Sequence, residues 1–295
     1  MTDLRYIELQ SRGVLAVGGG DAADFLQGLV SNDVSQVTAS RTVYAALLTP
    51  QGKFLHDFII ARQGDSYLLD CEGARLMDLG QRLSAYRLRA TVELLDATED
   101  WRVVALLGDG AGAAFGLADN PGAAASLDGG GLVYRDPRPA MPGLRAFLPR
   151  AQGFAAMAAR NITAGEFDDY QRARIAAAVP DGSQDMKINK ATLMEFGFEA
   201  LNGVDFSKGC YVGQELTART KYRGLMRRRF VRVSIDGALP PPGTIVMAKD
   251  KEAGEICSGF ENHALALLRL DRSEEARAEG IPLTAGEAVL RVLDG

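Results

Sequence analysis

The segment KGCYVGQELTAR, residues 208–219, sets Cys210 between Gly209 and Tyr211, just ahead of a polar stretch with helical character. Gly209 and Gly213 allow close backbone approach and unusual dihedrals. A helix begun near Val212 and running to Thr220 would turn its amides toward a thiolate, with Lys208 and Arg219 adding positive charge nearby. That pattern suits a functional thiol held toward its thiolate form. It also suits a small side chain buried at a tight turn, as free cysteines commonly are. Cys71 ends one apolar run and Cys257 lies in another, so both read as core. Three widely spaced cysteines point to reduced thiols rather than a disulfide framework. No CxxC, HExxH or carboxylate triplet supplies a dedicated metal cage, so no stable metal is expected.

A second chemical candidate lies in GKFLHDFII, residues 52–60, where Asp57 interrupts an apolar strand. A carboxylate there either edges a twisted sheet or accepts hydrogen bonds in a ligand pocket, for instance from an amino-substituted ring such as a pterin. His56 in the same strand and His263 in a turn have no partner at ligand spacing, and both read as satisfied or solvent-exposed imidazoles. The runs Gly18 to Gly20 and Gly108 to Gly112 each follow a strand, yet neither is followed by the crossover helix and terminal acid of a dinucleotide site. They read as turns.

The elements that must position these residues mix strands and helices. Gly13 to Val17 reads as a strand and Asp21 to Val30 as a helix capped by Asp21. Strands follow at Tyr44 to Leu48, Phe54 to Ala61 and Tyr67 to Cys71. A helix then carries Leu76, Leu79, Leu83 and Tyr86 on its apolar face, with Arg75, Arg82 and Arg87 facing away. Thr91 to Leu95 and Trp101 to Leu107 read as strands, separated by a composition shift near Glu99. A capping box, Thr163 to Glu166, opens a helix that Pro180 stops. Beyond Gly224, short strands at Arg229 to Ile235, Thr244 to Ala248, Gly254 to Phe260, Ala264 to Leu270 and Val289 to Leu293 suggest a small β-barrel. The class is α+β.

At 295 residues more than one domain is expected, and the net charge of −5 gives no sign of a general nucleic-acid binder. The basic run Arg227 to Arg229 reads as a solvated strand start or a partner contact. No apolar run is long enough to span a bilayer. The first ten residues carry acids and no apolar segment, so neither a secretory signal nor an Arg-rich transit peptide is read, and the expectation is a cytoplasmic protein.

LNGVDFSKGCYVGQELTARTKYRG, residues 201–224, resembles the defining motif of the YgfZ family of folate-binding iron–sulfur maturation factors, in particular their mitochondrial Iba-type members. DFLQGLVSNDVS, residues 24–35, and GKFLHDFII fall where that family has related segments. The resemblance covers most of the chain in order and is most specific at Lys208, Gly209, Cys210, Tyr211, Gly213, Gln214 and Glu215. The family shares its fold with the aminomethyltransferase, or T-protein, of the glycine cleavage system. The resemblance therefore implies a three-domain cloverleaf around a central folate-sized opening. Residues 1–98 with 151–225 would form the folate-binding α+β domains, 99–150 part of a smaller middle domain, and 226–295 a C-terminal β-barrel.

The T-protein's Gly-Gly-x-x-Asp-Asp strand corresponds to residues 52–57, with His56 in one carboxylate position and Asp57 retained. Its Thr-Gly-Tyr-Thr-Gly-Glu segment has no counterpart; RDPRPAMPGLRAF, residues 135–147, stands there. These departures point away from aminomethyl transfer. What the resemblance implies is a tetrahydrofolate-dependent accessory factor for assembling or repairing iron–sulfur proteins. The pterin would lie near Asp57 and Glu195, and the anionic tail near Arg219, Lys221 or Arg223. Cys210 would act as a functional thiol or transient metal ligand. A-type cluster carriers and radical-SAM enzymes of tRNA modification would be partners by analogy. The alternative is a one-carbon transferase using the same cofactor. Direct nucleic-acid binding and membrane insertion are not expected.

Overall fold

The computed structural model describes residues 4–224 and 226–293, and the chain divides into two compact units. The first comprises Met1–Leu48, Leu55–Tyr170 and Ala200–Val212; the second comprises Thr49–Phe54, Gln171–Glu199 and Gly213–Gly295.

Among the described residues, the first unit holds two sheets. The five-stranded one runs in the order Val43–Leu48, Phe54–Gln63, Ser66–Glu72, Arg12–Gly18 and Glu93–Asp96. Val43–Leu48 is buried at every position, which explains its unbroken apolar sequence where one-sided strands alternate. Helix Leu76–Arg87 buries Leu76, Leu79 and Leu83, the spacing that brings residues to one helical face. Tyr86, read as part of that face, is exposed, and Arg75, read as facing away, donates to the Leu55 carbonyl at 2.5 Å.

The six-stranded sheet runs Thr163–Ala164, Arg5–Glu8, Trp101–Leu107, Leu144–Pro149, Leu132–Arg135 and Ala124–Ser126. Its first pair is parallel and the rest antiparallel. The opening strand Arg5–Glu8 therefore belongs to the same sheet as Trp101–Leu107. Val104, Leu106, Val133, Ala146 and Leu148 form the core of that sheet with Met157. Thr163 pairs with Arg5 instead of capping a helix, and helix Phe167–Ala176 starts after it. Asp21 likewise makes no cap: its carboxylate accepts from the Thr91 amide at 2.7 Å.

The second unit carries a closed six-stranded barrel of Arg228–Asp236, His263–Arg269, Lys251–Phe260, Ile245–Ala248, Leu283–Ala285 and Ala288–Leu293. Val233, Val246, Ile256, Ala266 and Leu268 fill its interior. Closure removes the unpaired strand edges that an open sheet of this size would present. Strand Leu283–Ala285 and helix Leu270–Glu279 were not read from the sequence, because three residues are too few for a periodic signal and the helix is polar on most of its surface. In the same unit Arg174, fully buried, donates to Asp185 at 3.1 Å and to the Ser258 hydroxyl at 2.9 Å, anchoring residues 174–185 to strand Lys251–Phe260.

Candidate functional site

Two segments distant in sequence are stitched together in the first unit. Ser31 Oγ donates to the Gly203 carbonyl at 2.6 Å, and Asn32 Nδ2 donates to the Asn202 and Tyr44 carbonyls at 2.6 and 2.7 Å. The Asp205 amide donates to Ser31 O at 3.0 Å and the Val212 amide to Gly28 O at 3.2 Å. Asp205 then folds the chain back on itself, its Oδ1 accepting from the Ser207 amide and hydroxyl and from the Lys208 amide.

Lys208 closes the clamp. Its ammonium donates to the carbonyls of Gln27, Val30 and Asn32 at 2.8, 2.6 and 2.8 Å, using all three donors, and lies 5.0 Å from the centre of the Tyr211 ring. Gln27 and Val30 supply carbonyls from the end of helix Ala22–Gln27 and the turn after it, where unpaired carbonyl groups attract a cation. Burial pushes the Lys208 ammonium down to about 8, Asp33 and Asp205 pull the other way, and the three acceptors favour the charged form.

With Lys208 and Tyr211 turned inward, Cys210 between them is exposed, whereas Cys71 and Cys257 are buried. Burial pushes the Cys71 thiol up to about 12 and raises Cys257 also, which keeps both protonated. A side chain at Gly209 would meet nothing within 4 Å, so glycine there leaves the flank of the thiol bare. The helix of the motif is Gln214–Arg223, two residues later than the sequence suggests, and its N-cap is Gly213 at φ +82°.

Asp57 is not on an edge. Its strand lies between Val43–Leu48 and Ser66–Glu72, and Asp57 is 5% exposed. Tyr44 Oη donates to its carboxylate at 2.8 Å; burial, then the charge of Asp57, raises the tyrosine well above its ordinary range and keeps it a neutral donor. The Arg138 guanidinium lies 5.2 Å from the Tyr44 ring centre.

From Arg138 a buried ionic chain runs back through the unit. Arg138 forks onto both oxygens of Asp136 at 2.8 and 2.6 Å, Asp136 accepts from Arg145 at 3.1 Å, Arg145 donates to Asp70 at 2.5 Å, and Asp70 accepts from Arg12 at 2.5 Å. Burial alone would raise both carboxyls, but the guanidinium groups hold Asp70 and Asp136 below their usual range. Three guanidinium groups thus face Asp70, Asp136 and, by way of Tyr44, Asp57. None of Arg12, Asp70, Asp136, Arg138, Arg145 and Tyr44 was singled out from sequence. The signal available was the run of charges within the apolar and proline-rich segment 135–147.

His56 is buried, with Nε2 2.8 Å from Asp78 Oδ2. Burial, then the charge of Arg75, pushes it down to about 4, so it is a neutral, satisfied imidazole of the core.

A cleft of about 380 Å³ in this unit is lined by neighbours of both halves, while Asp57, Lys208 and Cys210 are not on its wall. Tyr44, the partner of Asp57, forms part of its wall, and so do Asn202, Asp205 and Ser207 of the clamp that leads into Lys208. Arg41 is the cation on its lining.

The other sequence candidates lie in the second unit. Glu195 Oε2 accepts from the Thr192 hydroxyl at 2.9 Å, and its main-chain carbonyl accepts from the Phe230 amide at 2.8 Å. Arg219 and Arg223 are exposed on helix Gln214–Arg223, and Lys221 donates to Glu199 at 2.5 Å. Glu215 is exposed in the first turn of that helix. Gly52 has φ +79°, and a Cβ there would come within 2.6 Å of Leu216 Cβ and 2.7 Å of Gly213 O, so this glycine admits the motif helix against the 49–54 segment. Among the described residues, no three His, Cys, Asp or Glu side chains gather as a metal site.

Residues 2–116 match the family described as the GCVT N-terminal domain, and residues 227–294 match the CAF17 C-terminal β-barrel domain. The glycine cleavage system aminomethyltransferase T from Bartonella henselae superposes over 99% of this chain and 85% of its own, with a TM-score of 0.77 at 15% identity, which shows an aminomethyltransferase-like fold. The mitochondrial iron–sulfur cluster assembly factor IBA57 of Homo sapiens is 34% identical over 88% of this chain and 76% of its own length. Its counterpart in Mus musculus is 33% identical with the same coverage. Both relatives are named as mitochondrial, which overturns the cytoplasmic expectation. With this identity over most of both chains, and an aminomethyltransferase-like fold closed by a C-terminal barrel, the chain belongs to the IBA57 family of iron–sulfur cluster assembly factors.

Proposed function

We propose that the protein is a tetrahydrofolate-binding accessory factor in the assembly or repair of iron–sulfur proteins, with Cys210 as the thiol that meets the cargo. The observation that carries the reading is the clamp: the three Lys208 hydrogen bonds hold a loop whose neighbouring side chains point inward and whose cysteine does not. One thiolate supplies a single ligand to a cluster that requires several. A second protein must therefore complete any cluster-bound state, and A-type carriers fit that part by family resemblance. Radical-SAM enzymes of tRNA modification are the clients the same resemblance suggests.

The pterin reading rests on Asp57 and its partner Tyr44. A carboxylate accepts only, which would match an amino group beside a ring N–H, and the neutral Tyr44 hydroxyl donates to the Asp57 carboxylate. Arg41, on the cleft wall with Tyr44, would meet an anionic tail bound there. When bound, tetrahydrofolate supplies a one-carbon carrier. The protein's own part is to orient the ring by Asp57 and to keep Cys210 presented.

The test is Cys210→Ser in cells lacking the native protein, alongside calorimetric titration of the purified variant with tetrahydrofolate. Lost support of iron–sulfur enzymes with folate affinity retained is expected. Full support by the serine variant removes the thiol role, and no saturable folate binding by the wild type removes the cofactor. The Tyr44–Asp57 pair within an aminomethyltransferase-like fold also favours a second reading, a one-carbon transferase using tetrahydrofolate. Turnover of an aminomethyl or methyl donor would establish that reading in place of the first.

A further inference from the structure

The second unit carries a cleft of about 390 Å³ that neither the thiol nor Asp57 uses. Lys53 and Lys190 stand on one side, brought together by the backbone hydrogen bonds Phe54 N to Ala191 O at 2.9 Å and Asn189 N to Phe54 O at 3.0 Å. Arg228 and Arg269 stand on the barrel side. These two arginines are direct cross-strand partners in the pairing of Arg228–Asp236 with His263–Arg269. Like charges set opposite each other on a ladder are destabilising; Asp271 already pairs with Arg269, so Arg228 is the member of the pair that an incoming anion would relieve. Arg227 continues the basic surface into an adjoining hollow that Arg228 and Arg269 share.

The acids of this region are largely engaged. Asp185 bonds Arg174, Glu255 bonds Lys187, and Asp271 bonds Arg269 at 2.8 Å. In a chain whose net charge is −5, this lining holds five cations, Lys53, Lys187, Lys190, Arg228 and Arg269, against four acids, of which Asp185 and Glu255 are already paired. The floor is apolar, with Phe196, Leu267 and Ala191, and Ile245 stands 42% exposed at its margin.

We infer that this cleft is a docking surface for an acidic segment of a partner protein, a run of aspartate or glutamate with at least one apolar side chain. The carboxylates would pair with Lys53, Lys190, Arg227 and Arg228, and the apolar group would cover Ile245. A protein segment fits better than RNA because Phe196, at 2% exposure, offers no face for base stacking. Mixed charge over an apolar floor is the composition of a protein–protein contact.

The test uses the full chain and a fluorescein-labelled peptide of Asp, Glu and Leu, followed by anisotropy at low and at physiological salt. The comparison probes are the same peptide with Asn and Gln for its acids and a single-stranded RNA. The expected result is salt-sensitive binding of the acidic peptide that weakens at least about tenfold in a Lys190→Glu, Arg228→Glu double variant, because both steering charges are reversed. It should be unchanged in Arg89→Glu, an exposed arginine of the first unit. Circular dichroism checks the fold, and Lys190→Gln with Arg228→Gln replaces the reversal if that variant unfolds. Equal affinity for the acidic and amide peptides, an unaltered affinity in the double variants, or tighter RNA binding abolished by the same changes would each overturn the assignment.

Discussion

Replacing Lys208 with methionine keeps an unbranched side chain, one atom shorter, and removes the three donors that hold the cysteine loop. The carbonyls of Gln27, Val30 and Asn32, now bonded at 2.6 to 2.8 Å, would face an apolar tail. A hydrogen bond to a charged group contributes about 1.5–3 kcal/mol net. The sum over three overstates the effect, because the ammonium loses hydration on burial, which is what pushes it down to about 8. The loop is also partly exposed, so water reaches some of the freed carbonyls. Docking of residues 203–212 should therefore weaken by about 2–4 kcal/mol, which is roughly a 30- to 1,000-fold rise in the open population, since about 1.4 kcal/mol is tenfold. Hydrogen exchange resolved by mass spectrometry should show that rise in peptides covering 203–212 and little change in the barrel. Lys208→Arg should fail to restore protection, because a planar fork cannot aim three N–H groups at three carbonyls converging on one point. Exchange within about threefold of wild type in that segment would refute the clamp as the element that presents Cys210.

Asp57→Asn should weaken tetrahydrofolate binding by about 1–3 kcal/mol in a calorimetric titration, through loss of charge-assisted acceptance; an unchanged affinity would make Asp57 a purely structural partner of Tyr44. Arg145→Met should lower stability in urea unfolding by about 3–5 kcal/mol, since it leaves the buried Asp70 and Asp136 under-compensated and the Tyr170 hydroxyl without its donor; a loss under about 1 kcal/mol would mean the ionic chain relaxes to water. His56, held near 4 in the fold against an ordinary 6.5, takes up its proton in the unfolded chain first. Stability should thus fall as pH drops from about 6.5 to about 4, by about 3 kcal/mol relative to a His56→Gln variant; parallel pH profiles for the two proteins would contradict it.

The barrel and the two core cysteines were legible because alternation and apolar runs report burial directly: Cys71 and Cys257 sit where the hydrophobic pattern puts them. Asp57 was visible as an anomaly, but whether its strand lay at an edge depended on which strands pair, and Val43–Leu48 takes the outer place. The ionic chain was not legible. Arg12, Asp70, Asp136 and Arg145 are spread over more than a hundred residues, and each alone looks like an ordinary surface charge. Lys208 was read as a positive neighbour for the thiol because its partners are main-chain carbonyls, which carry no residue identity for a sequence to display. The capping-box reading of Thr163 failed for a related reason: pairing with Arg5 is a long-range competitor that local propensity does not contain.

The stitched segments also set a schedule for synthesis. The Lys208 bonds reach back 181, 178 and 176 residues, so the carbonyls of Gln27, Val30 and Asn32 leave the ribosome long before the side chain that will satisfy them. At ordinary elongation rates of about 5–20 residues per second, that interval is roughly 10–35 seconds. Through it the nascent chain can form the strand pairs among residues 12–96, yet it holds the turn after the first helix open, with water on those carbonyls. Cys210 emerges only when the seam can close. The closed loop with its exposed thiol consequently belongs to the finished protein, and a chain truncated before residue 208 would carry the Tyr44–Asp57 pair without the cysteine loop.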